Sequence, residues 1–122
     1  MGEYHEKWDA LPQEVRDMHR ALKSLQEEIE AVDWYNQRQS LSTDDGLKEI
    51  LIHNRDEEIE HACMILEWLR RKAPAWDQEL RTYLFTEAPI TEVEEGSLDD
   101  AEPAGGKETN GGAAGLGIGD LS

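Results

Sequence analysis

The sequence predicts an all-α fold: two long helices form an antiparallel hairpin, a short third helix follows, and two copies of the chain pair into a four-helix bundle. Two stretches place apolar residues at helical spacing, and the connector between them is short, which makes the helices antiparallel neighbours. Fewer than a hundred of the 122 residues carry this pattern. A folded part of that size buries little surface, so we expect oligomerisation to stabilise it.

Helix 1 is predicted over about residues 11–38. Pro12 lies in its first turn, where a missing N–H is tolerated. The apolar positions recur with alternating gaps of four and three, the spacing of a heptad line: Leu11, Val15, Met18, Leu22, Leu25, Ile29 and Val32. The residues before this line, 1–10, show no such pattern and are expected to be frayed.

Helix 2 is predicted over about residues 46–72, after a connector at 39–46 in which Ser42 or Thr43 is the expected N-cap. Its heptad line is apolar at both ends and ionisable in the middle: Leu47, Leu51, Asn54, Glu58, His61, Ile65 and Trp68. A second apolar stripe runs beside it: Ile52, Ile59, Ala62, Leu66 and Leu69. Helix 2 therefore needs two neighbours, helix 1 and a partner chain.

The remaining sequence predicts a short third helix between Pro74 and Pro89, followed by a tail. We expect a helical domain over residues 1–93 and a disordered, acidic, Gly-rich linker over 94–115. The segment 116–122 differs from the linker because apolar residues return there.

Composition narrows the possible partners. The formal net charge of −16 repels nucleic acid and anionic membranes and attracts cations. Cys63 is the single cysteine, which excludes an intrachain disulfide and suits a reducing cytosol. No apolar run approaches the roughly 20 residues of a membrane span. We therefore expect a cytoplasmic protein that binds metal rather than nucleic acid or membrane.

Glu58 and His61 form a Glu-x-x-His pair, which di-iron bundles use twice to build one site. Glu28 and Glu58 both lie roughly 15 Å from the hairpin turn at 1.5 Å per residue, so they are level. Carboxylates and imidazole together suit iron, and carboxylates bridge two metals about 3.5–4 Å apart. Such a pair is usually a solvated surface feature, but within an apolar seam it is costly without metal. The sequence therefore predicts two irons at each dimer interface.

Seven further residues are weaker candidates. Five ionisable ones either line an approach path for cations or only keep the helices soluble: Glu27, Glu30, His53, Glu57 and Glu60. Two aromatic residues at the end of helix 1 either pack beside the metal or belong to the core: Trp34 and Tyr35. Tyr35 is the better of the two because its hydroxyl donates a hydrogen bond.

The sequence resembles the encapsulated ferritins, bacterial and archaeal proteins carried inside encapsulin nanocompartments. The resemblance covers about residues 15–92 and rests on four segments: EIEAVDWY (28–35), HNRDEE (53–58) with Glu60-His61, EWLRR (67–71) and RTYLFTE (81–87). It implies a ferritin-like bundle, with dimers assembled into a decameric ring. It also implies a ferroxidase centre in which both chains supply Glu28, Glu58 and His61. The positions of Trp34 and Tyr35 lie close to that centre, and the five ionisable positions bind additional metal ions.

The end of the chain, LGIGDL, resembles an encapsulin cargo-loading peptide. Leu116, Ile118 and Leu121 supply apolar anchors for a groove on the inner wall of the shell, and the linker supplies reach. The resemblance thus implies an encapsulin partner that binds residues 116–122, with iron delivered for mineral storage inside the nanocompartment. The alternative is a tail without a function.

Two other functions stay open. The chain is either a ferroxidase or a non-catalytic, metal-binding helical cargo or structural protein. A di-iron oxygenase acting on an organic substrate is a third class, but no apolar pocket is evident in the sequence beyond the core.

Overall fold

The structure, a computed structural model, describes residues 4–99, with side chains for residues 4–96. A 3₁₀ turn, Trp8–Ala10, precedes four helices: α1 Gln13–Leu41, α2 Asp45–Lys72, α3 Pro74–Tyr83 and α4 Ile90–Asp99. The all-α prediction is confirmed, and the described part of the chain has no strand. None of its helices combines the length and apolar composition that a membrane span needs. Leu69 ends one compact unit, and Arg70 begins a second.

Helix α1 is shifted toward the C-terminus relative to its predicted span. Pro12 precedes the helix with extended backbone (φ −62°, ψ 157°), and its carbonyl accepts the N–H groups of Val15 and Arg16. Pro12 is therefore the N-cap residue rather than part of the first turn, and Leu11 lies outside the helix. At the other end, α1 extends to Leu41. The residues shared by the predicted and observed spans, 13–38, are helical as predicted.

The connector between α1 and α2 is only residues 42–44, so the predicted connector at 39–46 was too long. The predicted N-cap was also wrong, because Asp44 caps α2: its Oδ2 accepts the Leu47 N–H at 2.8 Å. Ser42 instead donates to the Asp44 carbonyl at 3.4 Å. A carboxylate at this position is the stronger cap because it also carries charge near the positive end of the helix.

The first unit, to which α1 and most of α2 belong, has a small core. Leu25 and Leu69 are the buried apolar side chains among the described residues. Three members of the α1 heptad line, spaced by seven, stay between 40% and 55% exposed: Val15, Leu22 and Ile29. Near the turn, Arg55 Nη1 donates to Asn36 Oδ1 at 2.9 Å and links α2 to α1. The hairpin thus has an apolar face that it does not bury by itself.

The residues before α1 are more ordered than predicted. The Arg16 and Arg20 guanidiniums lie 4.7 and 5.2 Å from the Trp8 ring centre, and Arg16 Nε donates to the Trp8 carbonyl at 3.1 Å. Tyr4 packs against Trp8 and His19, with ring centroids 5.0 and 4.4 Å apart. Cation–π attraction therefore holds this segment on α1, which a search for apolar periodicity does not detect.

The second unit contains a helix that the sequence did not predict. The sequence predicts that the helical pattern ends at Pro89, but the Pro89 carbonyl accepts the N–H groups of Glu92 and Val93, so α4 begins directly after it. Residues 94–99, which we expect from the sequence to lie in the linker, belong to α4. The rest of that linker, and the predicted shell-binding segment 116–122, lie outside the described residues.

Candidate metal centre

The structure brings Glu28, Glu58 and His61 together between α1 and α2. One potential ligand atom from each lies within 4.8 Å of the other two. The three-residue spacing puts Glu58 and His61 on one face of α2, and antiparallel packing places Glu28 opposite them. The heptad pattern placed these residues at one level, and they do meet. Their role as metal ligands stays a prediction.

His61 stands between the two carboxylates. Its Nδ1 lies 3.4 Å from Glu28 Oε1 and 3.4 Å from Glu58 Oε1. The Glu28 and Glu58 side chains are 24% and 25% exposed, whereas the imidazole is 46% exposed. Two partly buried anionic groups therefore converge on one nitrogen, and the imidazole is open to solvent.

Glu28 Oε1 is the unusual atom of this cluster. It is buried, and no described donor meets it with hydrogen-bond geometry, although His61 Nδ1 is only 3.4 Å away. A buried carboxylate oxygen without a partner costs free energy. The atom is thus placed to accept a proton or a metal ion.

The charges of the cluster change two pKa values. The pKa of Glu28 is raised above its ordinary value of 4.5, because protonated Glu28 shares a hydrogen bond with Glu58, burial disfavours the charge, and Glu58 repels it. Desolvation lowers the pKa of His61, but attraction to Glu28 and Glu58 outweighs it, so the pKa of His61 is raised above 6.5. Both shifts mean that the cluster favours added positive charge.

This donor set fits a divalent transition metal such as iron. Two carboxylate oxygens supply hard anionic ligands, and an imidazole nitrogen supplies a softer one. A cation among them also gives the orphaned oxygen of Glu28 a partner. Three protein ligands do not fill the coordination sphere of such a metal, so positions remain for a second set of ligands or for substrate.

Of the secondary candidates, Glu57 lies beside the cluster, and His53 lies beside Glu57. Glu57 Oε1 is 4.0 Å from His61 Nε2, and Glu57 Oε2 is 3.8 Å from His53 Nε2. The other three are exposed and are not members of the cluster: Glu27, Glu30 and Glu60. The approach of Glu57 to His61 was not predicted, although their i, i+4 spacing was the available signal.

Trp34 and Tyr35 contact a cation on their own helix. The Arg38 guanidinium lies 6.0 Å from the Trp34 ring centre and 5.5 Å from that of Tyr35. Trp34 and Arg38 also line a shallow hollow with Gln37. Neither ring supplies a ligand atom to the cluster, so a role beside the metal stays a prediction.

Comparison with known proteins shows the family to which the chain belongs. The family described as EncFtn-like matches residues 3–87. The chain is similar to a ferritin-like protein of Thermotoga maritima, with 55% identity over 114 residues, which is 93% of this chain and 95% of the relative. It is also similar to an encapsulated ferritin-like protein of Rhodospirillum rubrum, with 53% identity over 122 residues, covering 96% of this chain and 86% of the relative.

A solved structure agrees with these matches. The crystal structure of protein ne0167 from Nitrosomonas europaea superposes with a TM-score of 0.70 and 61% identity, over 71% of this chain and 96% of that one. The chain therefore belongs to the EncFtn-like family, that of the encapsulated ferritins its sequence resembles.

Proposed function

We propose that this protein is a ferroxidase that oxidises Fe²⁺ to Fe³⁺ at a di-iron centre shared by two copies of the chain. The observation that carries the proposal is the convergence of Glu28, Glu58 and His61 around a buried oxygen without a hydrogen-bond partner. Membership of a ferritin-like family supports iron as the metal.

Pairing of two chains completes the ligand set. One chain supplies two Glu and one His, which is half of the four-Glu, two-His set of di-iron carboxylate bundles. Ile29, next to Glu28 on α1, is 55% exposed, and Leu22 one heptad earlier is 40% exposed. A second hairpin against this face buries the apolar stripe and brings its own ligands to the same place.

The chemistry needs little beyond binding and charge. Each Fe²⁺ loses one electron, and dioxygen is the proposed acceptor. Carboxylate ligands favour the Fe³⁺ product because it is the harder, more highly charged ion, while imidazole holds Fe²⁺. Glu28, Glu58 and His61 therefore bind the substrate and stabilise the product in one place.

A shell partner and a ring assembly belong to the same proposal. The Rhodospirillum rubrum relative is named as encapsulated, which supports an encapsulin shell around this protein too. Residues 116–122 are the proposed docking segment, and five dimers are proposed to form a decamer. In this arrangement the subunit supplies oxidation and the shell supplies the storage volume.

Aerobic addition of Fe²⁺ to the purified full-length chain tests the catalytic proposal. We expect rapid formation of the Fe³⁺ absorbance with the parent. Glu58→Ala and His61→Ala should oxidise iron no faster than buffer, because each removes a ligand from both halves of the site. Glu49→Ala is a matched control, since it removes an exposed carboxylate of α2 away from the cluster.

Equal rates for the parent and both ligand variants would remove the catalytic proposal. Iron binding by the parent without oxidation would favour the alternative, a non-catalytic metal-binding cargo.

Deletion of residues 116–122 tests the shell proposal separately. The truncated chain should oxidise iron normally but fail to co-purify with a co-expressed encapsulin. Loading of the truncated chain at the parental level would contradict the assignment of this segment.

A further inference from the structure

The two nitrogens of the His61 ring face different carboxylates. Nδ1 faces the other two side chains of the candidate metal centre, and it lies 3.4 Å from one oxygen each of Glu28 and Glu58. Nε2 faces Glu57 Oε1 at 4.0 Å, one helical turn earlier on α2. Three carboxylates therefore surround one imidazole, two on one nitrogen and one on the other.

A metal ligand needs a lone pair, and neutral imidazole has one lone pair and one N–H. If Nδ1 binds the metal, then the hydrogen must be on Nε2, and it points toward an acceptor. Glu57 Oε1, 4.0 Å from Nε2, is an acceptor close to that nitrogen. Metal-binding histidines commonly donate their other N–H to a carboxylate, which fixes the tautomer and the ring orientation.

Glu57 also lies near a second imidazole. Its second oxygen, Oε2, lies 3.8 Å from Nε2 of His53, which also belongs to α2 and precedes it by four residues. The carboxylate thus stands between two imidazoles on one helix face. His53 is 70% exposed, so it forms the solvent end of this row, and His61 forms the metal end.

We propose that Glu57 is a positioning residue for the metal centre, which accepts the Nε2–H of His61 and leaves Nδ1 for the metal. The inference rests on the proposed metal site, and it gives Glu57 a role other than that of an independent metal ligand. At 4.0 Å the two atoms are not hydrogen-bonded, so the proposal requires this separation to shorten on metal binding, as active-site hydrogen bonds often do.

Zn²⁺ titration of the full-length chain tests this proposal without any redox chemistry. Glu57→Ala should weaken Zn²⁺ binding about 10- to 100-fold, the usual effect of losing such a partner. Glu57→Gln should recover part of that loss, because the amide oxygen still accepts a hydrogen bond. Glu49→Ala should stay near the parent, because it removes an exposed carboxylate of α2 away from the cluster.

Nitrogen-15 NMR of the histidines gives a second readout. In the Zn²⁺-loaded parent, the His61 signals, identified by their loss in His61→Ala, should show metal on Nδ1 and a slowly exchanging Nε2–H. In Glu57→Ala the same proton should exchange rapidly with water. A structural defect alone would not change the tautomer of one ring.

The results that would overturn the proposed role of Glu57 are specific. Metal on Nε2 of His61, or parental Zn²⁺ affinity in Glu57→Ala, would overturn the proposal. A loss in Glu49→Ala equal to that in Glu57→Ala would indicate a general charge effect, which also overturns it. If the parent binds Zn²⁺ no better than His61→Ala, then the metal site itself fails, which is a different result.

Discussion

Two clusters in this molecule combine carboxylates with cationic side chains in opposite proportions. One has more carboxylates than cations, and the other has more cations than carboxylates. In the first unit, Glu28 and Glu58 converge on a single imidazole, and the pKa of Glu28 is raised. In the second unit, Asp77 accepts hydrogen bonds from Arg70 at 2.5 Å and from Arg81 at 2.9 Å. The bond from Arg70 is the main reason that the pKa of Asp77 is lowered, and it outweighs the opposing effect of burial.

The difference separates a structural ion pair from a binding site. Asp77 has two cationic partners inside the chain and needs no further charge. Glu28 has a buried oxygen without a donor, in a cluster with more carboxylates than cations. Added positive charge, from a proton or from a metal ion, therefore stabilises this cluster.

The largest effect should come from adding Fe²⁺ to the Glu28 cluster. Anaerobic Fe²⁺ at one hundred times its Kd should stabilise the parent by about 2.7 kcal/mol, since a ligand that binds only the native state stabilises it by mass action. The same addition should increase the oligomer size, because metal offsets carboxylates that face each other across the proposed interface. Differential scanning calorimetry and size-exclusion chromatography measure the two effects.

Asp77→Ala is the matched control for this experiment, and its metal-induced shift should equal that of the parent. Glu58→Ala should show neither effect. Identical profiles with and without Fe²⁺ in the parent would mean that the Glu28 cluster does not bind metal in solution.

A smaller effect should follow from neutralising one carboxylate in each cluster without metal. Glu28→Gln should raise the melting temperature, because it removes a charge that its surroundings disfavour. Asp77→Asn should lower it by a few degrees, because it removes the charge that two guanidiniums bind. Thermal unfolding in a chelator measures both variants, with Glu30→Gln on the exposed side of α1 as control. A lower melting temperature in both variants would contradict the proposed difference between the Glu28 and Asp77 clusters.

The smallest effect is a difference in pH dependence. Glu28 and His61 have raised pKa values, so the native state holds more protons than the unfolded state above pH 4.5 and pH 6.5, respectively. Stability from these groups is complete below those values and is lost as pH rises through the raised pKa values. Asp77 behaves oppositely: its contribution is present above pH 3.8 and is lost as pH falls through its lowered pKa.

Urea unfolding of the metal-free chain at about pH 5.5 and about pH 8 measures the first effect. The parent should be more stable at the lower pH, and Glu28→Gln should reduce the difference. If the parent and Glu28→Gln were both more stable at the higher pH, and by the same free energy of unfolding, the assignment to Glu28 would be contradicted.

Much of the site could be predicted because it depends on helical spacing. The interval between Glu58 and His61 places them on one face of any regular helix, and equal distances from a short connector place Glu28 opposite them. The end of each element was harder to predict. Asp44 rather than Ser42 caps α2 because its carboxylate reaches the Leu47 N–H, a matter of local backbone geometry that composition does not reveal.

Helical periodicity is enough to predict the all-α class, the two long amphipathic helices and the level at which Glu28, Glu58 and His61 meet, because side-chain spacing along a helix is set by its regular geometry. The folded structure was needed to see which nitrogen of His61 faces the carboxylates and which oxygen of Glu28 has no hydrogen-bond partner. It alone also decided that Trp8 binds back onto α1. These features depend on side-chain rotamers and on contacts between segments, and both are determined by packing rather than by the order of residues.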